Sequence, residues 1–400
     1  MARRNLRPTG NNIIEYVSQE LEFFKKTPLS KLASIIEEEI SLTNLAVERG
    51  EFGNEVLNNF ASRAKEVLKV LPKSYKARFE FDAQLTDAIS QEWNHQKQVL
   101  SMPILPKHGG NHWEHGKLTL PIKRKLEHSN SYDSSLAVTV IRFPGEDNLD
   151  SINLLDYPFL YHELAHNLFF YNDDRYFADA FKKKLNEYLS KLRLRSFADQ
   201  GSAKDKSLKM IDKVQQMWKP TASHHNWAHE MAMDLVSLWS CGPAYLAAFQ
   251  DELENYPKDW FYLEPNHPPY LIRVESLINA AHKLGWHKYT EEADRLLSQR
   301  IRQWRQTKRK DTNTFVTLTP AELIEDCISS VFSTCENFAL PRCTSDDVER
   351  VKTKFAKNQN FDFGTELIIA AWFYQQQTDN DEFTRWERKT IRALMSSLTQ

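Results

Sequence analysis

His162-Glu163-Leu164-Ala165-His166 stands in an apolar stretch that reads as a helix, with Leu160, Leu164 and Leu168 around it. Residues i and i+4 of a helix lie on one face, so the two imidazoles converge. Such a pair can hold one zinc ion, and the carboxylate between them can take a proton from water at the metal. Without that use, Glu163 is a charge on an otherwise apolar helix, which is costly unless it has a partner. Asp156 is the candidate cap of this helix, with Pro158 tolerated in its first turn. The motif is short, so its support has to come from elsewhere in the chain.

A catalytic zinc ion usually takes three protein ligands and one exchangeable water. Glu230-Met231-Ala232-Met233-Asp234 offers the third ligand from a second helix-period stretch, among Trp227, Ala228, Met231, Leu235 and Leu238. Glu230 and Asp234 share a face one turn apart. His229 competes as a ligand but is rotated about 100° from Glu230, and His224 and His225 fall nearer the helix start. This helix is expected to begin near Thr221 to Ser223 and to stop at Gly242-Pro243. A third segment, His267-Pro268-Pro269-Tyr270-Leu271-Ile272-Arg273, reads H-P-P-x-x-x-R. Its prolines suit a first helical turn, with His267 at the N-cap and Arg273 one to two turns in.

The order H-E-x-x-H, E-x-x-x-D, H-P-P-x-x-x-R resembles the gluzincin metallopeptidases. Within them it is most similar to the family that holds the CAAX prenyl proteases and their soluble relatives. The resemblance covers the middle part of the chain. It implies a zincin-like catalytic unit with Zn2+ as cofactor and His162, His166 and Glu230 as ligands. It implies that Asp234 hydrogen-bonds the other nitrogen of a zinc histidine and orients it, and that Glu163 is the general base. It places His267 and Arg273 at the oxyanion, one as direct donor and the other as orienter or second donor. Two positions depart from the family pattern: Met233 replaces an alanine, and Asn266 stands where a threonine is usual before H-P.

The fold expected from the patterning is mainly α with a small β-sheet (α+β), the zincin-like unit being flanked by helical regions. A chain of 400 residues accommodates roughly two or three compact units. The expected boundaries are a helical region over 1–100, a metallopeptidase domain over 101–290 and a second helical region over 291–400. Ile13, Ile14, Val17, Leu21 and Phe24, then Leu32, Ile35, Ile36 and Ile40, recur at helical spacing. Leu136 to Phe143 is the strongest strand, β-branched and closed by Pro144-Gly145, and Leu118 to Ile122 is a shorter one. By resemblance the first of these is the edge to which an extended substrate adds by backbone pairing. Thr319-Pro320-Ala321-Glu322 reads as a capping box with proline at N1.

The net charge of −2 argues against a chain built to coat nucleic acid. No apolar run is long enough to span a bilayer, which departs from the membrane-embedded members of the resembled family. No apolar core follows Met1-Ala2-Arg3-Arg4-Asn5, so a secretory signal is not expected. Together with four cysteines read as reduced thiols, buried or incidental, this points to the cytoplasm. The expected activity is that of a soluble zinc-dependent endopeptidase acting on a protein or peptide substrate, with room for a regulatory protein partner. The alternative is a non-catalytic zinc-binding interaction module on the same fold, against which the intact Glu163 speaks. The basic run Arg300 to Lys310 reads as a solvated helix end. His108, His112 and His115, with Glu114, form a second histidine cluster before the strand.

Overall fold

The computed structural model describes residues 10–24, 30–50, 53–70, 77–95, 104–108, 113–122, 134–146, 148–170, 175–196, 202–220, 226–255, 260–263, 267–307, 315–316 and 318–398. The protein is mainly helical, and its described strands form one three-stranded sheet. It divides into two compact units, one of Met1–Ala88, Ser101–Ile152 and Met395–Gln400, the other of Ile89–Leu100 and Asn153–Leu394. This division differs from boundaries at 100 and 290. The strands cluster with the N-terminal helices, and most of the C-terminal helical region clusters with the helices of the three motifs.

In the first unit, α1 (Gly10–Phe24), α2 (Ser30–Glu48) and α3 (Asn54–Val70) pack on one another. Val17 and Leu21, Ala33, Ile36 and Ile40, and Leu57, Ala61 and Ala64 are their buried contacts. These recur three and four residues apart, as an amphipathic helix requires. Helix α4 spans Ala77–Asn94. The sheet follows, with β1 (Ile104–His108), β2 (Glu114–Ile122) and β3 (Ser134–Phe143) in the order β1-β3-β2. Strand β3 runs parallel to β1, Ile104 opposite Thr139, and antiparallel to β2, Glu114 opposite Arg142.

The expectation that Leu136 to Phe143 is an open edge is therefore corrected, because β3 is the central strand and both its sides are occupied over Thr139–Arg142. The reason is local. Pro106 lies in β1 and Pro121 in β2, and proline, lacking an N–H, belongs on edge strands. The β-branched run has no such defect and takes the middle. Where β3 ends, the buried Arg78 donates to the Pro144 carbonyl at 2.7 Å, the Glu146 carbonyl at 2.5 Å and Ser151 Oγ at 2.6 Å. This clamp holds the turn at Gly145, whose φ of 88° suits glycine.

The second unit contains α5 (Pro158–Phe170), α6 (Arg175–Ser196), α7 (Ser202–Trp218), α8 (Trp227–Cys241), α9 (Pro243–Asn255), α10 (Tyr270–Lys283) and α11 (Glu291–Thr307). It continues with α12 (Ala321–Asn337), α13 (Ser345–Ala356), α14 (Thr365–Gln375) and most of α15 (Asn380–Leu398). Every residue of α8 is buried, as expected of a helix that is apolar all round. Helices α5, α7, α9, α10, α12 and α14 pack against it. Two carboxylates on such a helix need partners, and their partners make the site.

Helix α8 begins at Trp227, not near Thr221 to Ser223 (221–225 lie outside the described residues). Its N-cap is Asn226, whose side-chain oxygen accepts from the His229 N–H at 3.2 Å. It ends at Gly242, with φ of 55°, where the Gly-Pro signal places its stop. The capping box expected at Thr319 is corrected too. Pro320 is the N-cap of α12, and the Thr319 hydroxyl donates to the Phe315 carbonyl instead. A capping box does form between Thr344 and Asp347, at the start of α13. All four cysteines are buried and free. No helix among the described residues is long and apolar enough to cross a membrane.

Candidate metal centre

Helix α5 opens at Pro158, whose missing N–H costs nothing at a first helical position. Asp156 closes a preceding 3-10 turn, Leu154–Asp156, and Tyr157 lies between them. Tyr161 anchors the helix through its hydroxyl, 2.7 Å from Thr365 Oγ1 at the start of α14. One turn of α5 then carries His162, Glu163 and His166, all buried. The two imidazoles meet edge to face, centroids 5.1 Å apart.

Helix α8 crosses α5 and brings Glu230 to the imidazoles. The ligand atoms of His162, His166 and Glu230 all lie within 4.8 Å of one another, and they form the one such group of metal-competent side chains among the described residues. His162 Nε2 and Glu230 Oε2 are 3.4 Å apart. Two donors about 2.1 Å from a tetrahedral zinc ion stand about 3.4 Å apart, so this pair already has the spacing a shared ion needs. Glu163 Oε2 lies 3.9 Å from His166 Nε2. His229, the competing ligand, is turned away. Its Nδ1 is 3.0 Å from the Asn226 side-chain nitrogen, and its ring contacts Phe177.

Asp234, one turn beyond Glu230, sets the tautomer of His162. Its Oδ1 is 2.9 Å from His162 Nδ1. A carboxylate only accepts, so Nδ1 carries a proton, and Nε2, which faces Glu230, is the nitrogen that would be free to bind a metal once its own proton is displaced. Asp234 is held in turn by Arg273, whose Nε donates to Oδ2 and Nη2 to Oδ1, both at 2.7 Å. The guanidinium lies 4.8 Å from the Phe249 ring centroid and 5.7 Å from that of Tyr270. The Tyr245 hydroxyl adds a fourth donor to Asp234, reaching Oδ1 at 2.6 Å.

Burial alone would raise the Asp234 carboxyl, but the Arg273 charge and hydrogen bonds, then those of His162, lower it to about 2. Burial would lower the His162 imidazole, but hydrogen bonds to Asp234 and Glu230 outweigh it and push it up to about 10. The same carboxylates that hold a proton there favour a cation. With both imidazoles neutral and the carboxyls ionised, the forms in which these groups bind a metal, Glu163, Glu230 and Asp234 bring three negative charges against the one positive charge of Arg273, and all four are buried. The formal balance of −2 is what a divalent cation offsets, and buried charge without an offset is expensive. The donor set, two imidazoles and a carboxylate, is that of a catalytic zinc site, which keeps one position open.

Of the residues singled out from sequence, His162, Glu163, His166, Glu230, Asp234 and Arg273 come together. His267 is exposed and lies before the N-cap of α10, which is Pro269. Its expected place at the N-cap is corrected: the helix starts only after both prolines. Arg273 points its fork at Asp234, the place of an orienting group. Tyr245 was missed. It sits eleven residues from its partner, beyond the break at Gly242, where helical periodicity carries no information. The backbones of His108, Glu114 and His115 lie on β1 and β2, and His112 is outside the described residues. Comparison with protein-family models, with curated proteins and with solved structures finds no match to this chain.

Proposed function

We propose that this protein is a zinc-dependent hydrolase that cleaves peptide bonds. The observation that carries the reading is the buried His162–His166–Glu230 group with Glu163 beside it on the same helical turn. The order of the three motifs, which resembles that of gluzincins, supports a peptide as substrate. Zinc held by these residues would supply Lewis acidity for a carbonyl and acidify water. The Glu163 carboxylate then serves as the proton carrier, taking a proton from the attacking water and returning it to the leaving amine. Asp234 keeps the His162 Nδ1 proton in place, so that Nε2 remains a donor of electrons. Arg273 fixes Asp234 and offsets its charge.

The test compares the purified protein with Glu163→Gln and Glu230→Gln, by zinc content and by cleavage of a broad peptide library. The wild type should hold one zinc per chain and cleave. Glu163→Gln should keep zinc and lose about 10²-fold or more in rate, and Glu230→Gln should lose zinc affinity. Absence of stoichiometric zinc from wild type supplied with the metal would sink the reading. Zinc without hydrolysis of any peptide or protein would reduce the site to a binding module.

A further inference from the structure

The two Asp234 oxygens offer roughly four lone-pair positions, and four donors approach them. Arg273 Nε takes Oδ2, while Arg273 Nη2, the Tyr245 hydroxyl and His162 Nδ1 all converge on Oδ1. Arg273 fixes the plane of the carboxylate, yet a guanidinium and a carboxylate locked to each other can still swing as one body. The Tyr245 bond ties that body to a different helix, α9, at 2.6 Å. The Tyr245 ring is held edge-on to Phe159 of α5, centroids 5.7 Å apart, and tilted against Phe249 at 6.1 Å. The hydroxyl therefore has a fixed origin, set partly by the same helix that carries His162.

We infer that Tyr245 is a positioning residue for the metal centre, acting through Asp234 to set the orientation of His162. The inference rests on the metal-site reading above and extends it to a fourth helix, α9. The tyrosine ring belongs to the core, but its hydroxyl decides where Oδ1 stands opposite His162 Nδ1. A histidine whose second nitrogen is well held makes a better ligand, and outer partners of this kind change metal affinity about 10- to 100-fold.

The experiment uses the full chain as wild type, Tyr245→Phe, Asp234→Asn and the double variant. Zn2+ affinity is measured by competition with a chromogenic chelator, and Co2+ absorption reports ligand geometry. Phenylalanine keeps the packing against Phe159 and Phe249, and the melting temperature of each zinc-free variant checks that the fold is intact. Tyr245→Phe should lower Zn2+ affinity about tenfold, the low end of the range because Arg273 remains, and should shift the Co2+ bands. In the Asp234→Asn background the same change should add less than about twofold. Affinity for Tyr245→Phe within about twofold of wild type, or an equal loss in both backgrounds, would overturn the inference and leave Tyr245 a packing residue. Should Tyr245→Phe melt early, Tyr245→Trp, which keeps a ring and a donor, must recover affinity together with stability for the inference to stand. A wild type that binds no Zn2+ overturns the metal reading itself, a result visible without any variant.

Discussion

Truncating Asp234 to alanine leaves the charge of Arg273, a residue 8% exposed, without its hydrogen-bonded carboxylate. The size of the effect can be bounded from two sides. The carboxyl sits at about 2 against an ordinary 3.8, and a pKa unit is about 1.4 kcal/mol, so its charged form is favoured by about 2 kcal/mol. Because the folded pKa is lowered, that stabilisation is complete above about pH 4 and is lost as the pH falls through about 2. Deletion costs more than protonation, since it removes the acceptor as well and strands a buried charge, for which about 3–5 kcal/mol is typical. Asp234→Ala at pH 7 should therefore cost about 3–5 kcal/mol, measured with a chelator present so that metal binding does not contribute. Arg273→Met in the same chain removes the stranded charge. The double variant should be more stable than the sum of the single losses by about 2 kcal/mol or more. Hydrogen exchange at the amides of α8 is the suitable assay, because it reports the opening of that helix without requiring both units to unfold together. A loss below about 1 kcal/mol for Asp234→Ala, or additivity of the pair within about 0.5 kcal/mol, would refute the argument.

Glu387 on α15 accepts the Leu154 N–H at 2.6 Å, just ahead of α5, the helix of His162 and His166. Burial, opposed by that bond and by Arg388 and aided by Asp156, pushes its carboxyl up to about 7. A raised carboxyl contributes stability that is fully present below its unfolded value near 4.5 and is lost as the pH rises through 7, up to about 3 kcal/mol. Glu387→Gln keeps an acceptor for Leu154 and should be the more stable form at pH 8; melting temperatures that track the wild type at every pH would refute this. Gly242→Ala places a Cβ 2.8 Å from Cys343 Sγ at a φ of 55°. It should cost about 1–3 kcal/mol, read by chemical denaturation, and Cys343→Ala should return only part of it; full recovery would mean that the backbone is unstrained.

The helices and most of the metal group were legible in the chain because both depend on short-range geometry. His162 with His166, and Glu230 with Asp234, are four apart, and a 3.6-residue period puts each pair on one face whatever surrounds it. The stop at Gly242 is equally local, a backbone conformation that glycine adopts freely. The capping box at Thr319 failed on a local competition, since a threonine hydroxyl can turn to a nearby carbonyl instead of the helix N-terminus. The strand Leu136 to Phe143 was found for its β-branched composition, but composition does not say which neighbours pair with it. Only the sheet order showed β3 in the middle, with the proline-bearing strands outside.

What the sequence by itself determined is the set of side chains that can meet within one helix, and the apolar surroundings that force two buried carboxylates to find partners. Tertiary structure decided which helix meets which. Packing of α8 against α5 turns two motifs into one site, α10 aims Arg273 at Asp234, and the break at Gly242 returns Tyr245 to the same oxygen. Those contacts join residues 39 and 72 positions apart, and no pattern of fixed period extends across the loops between them.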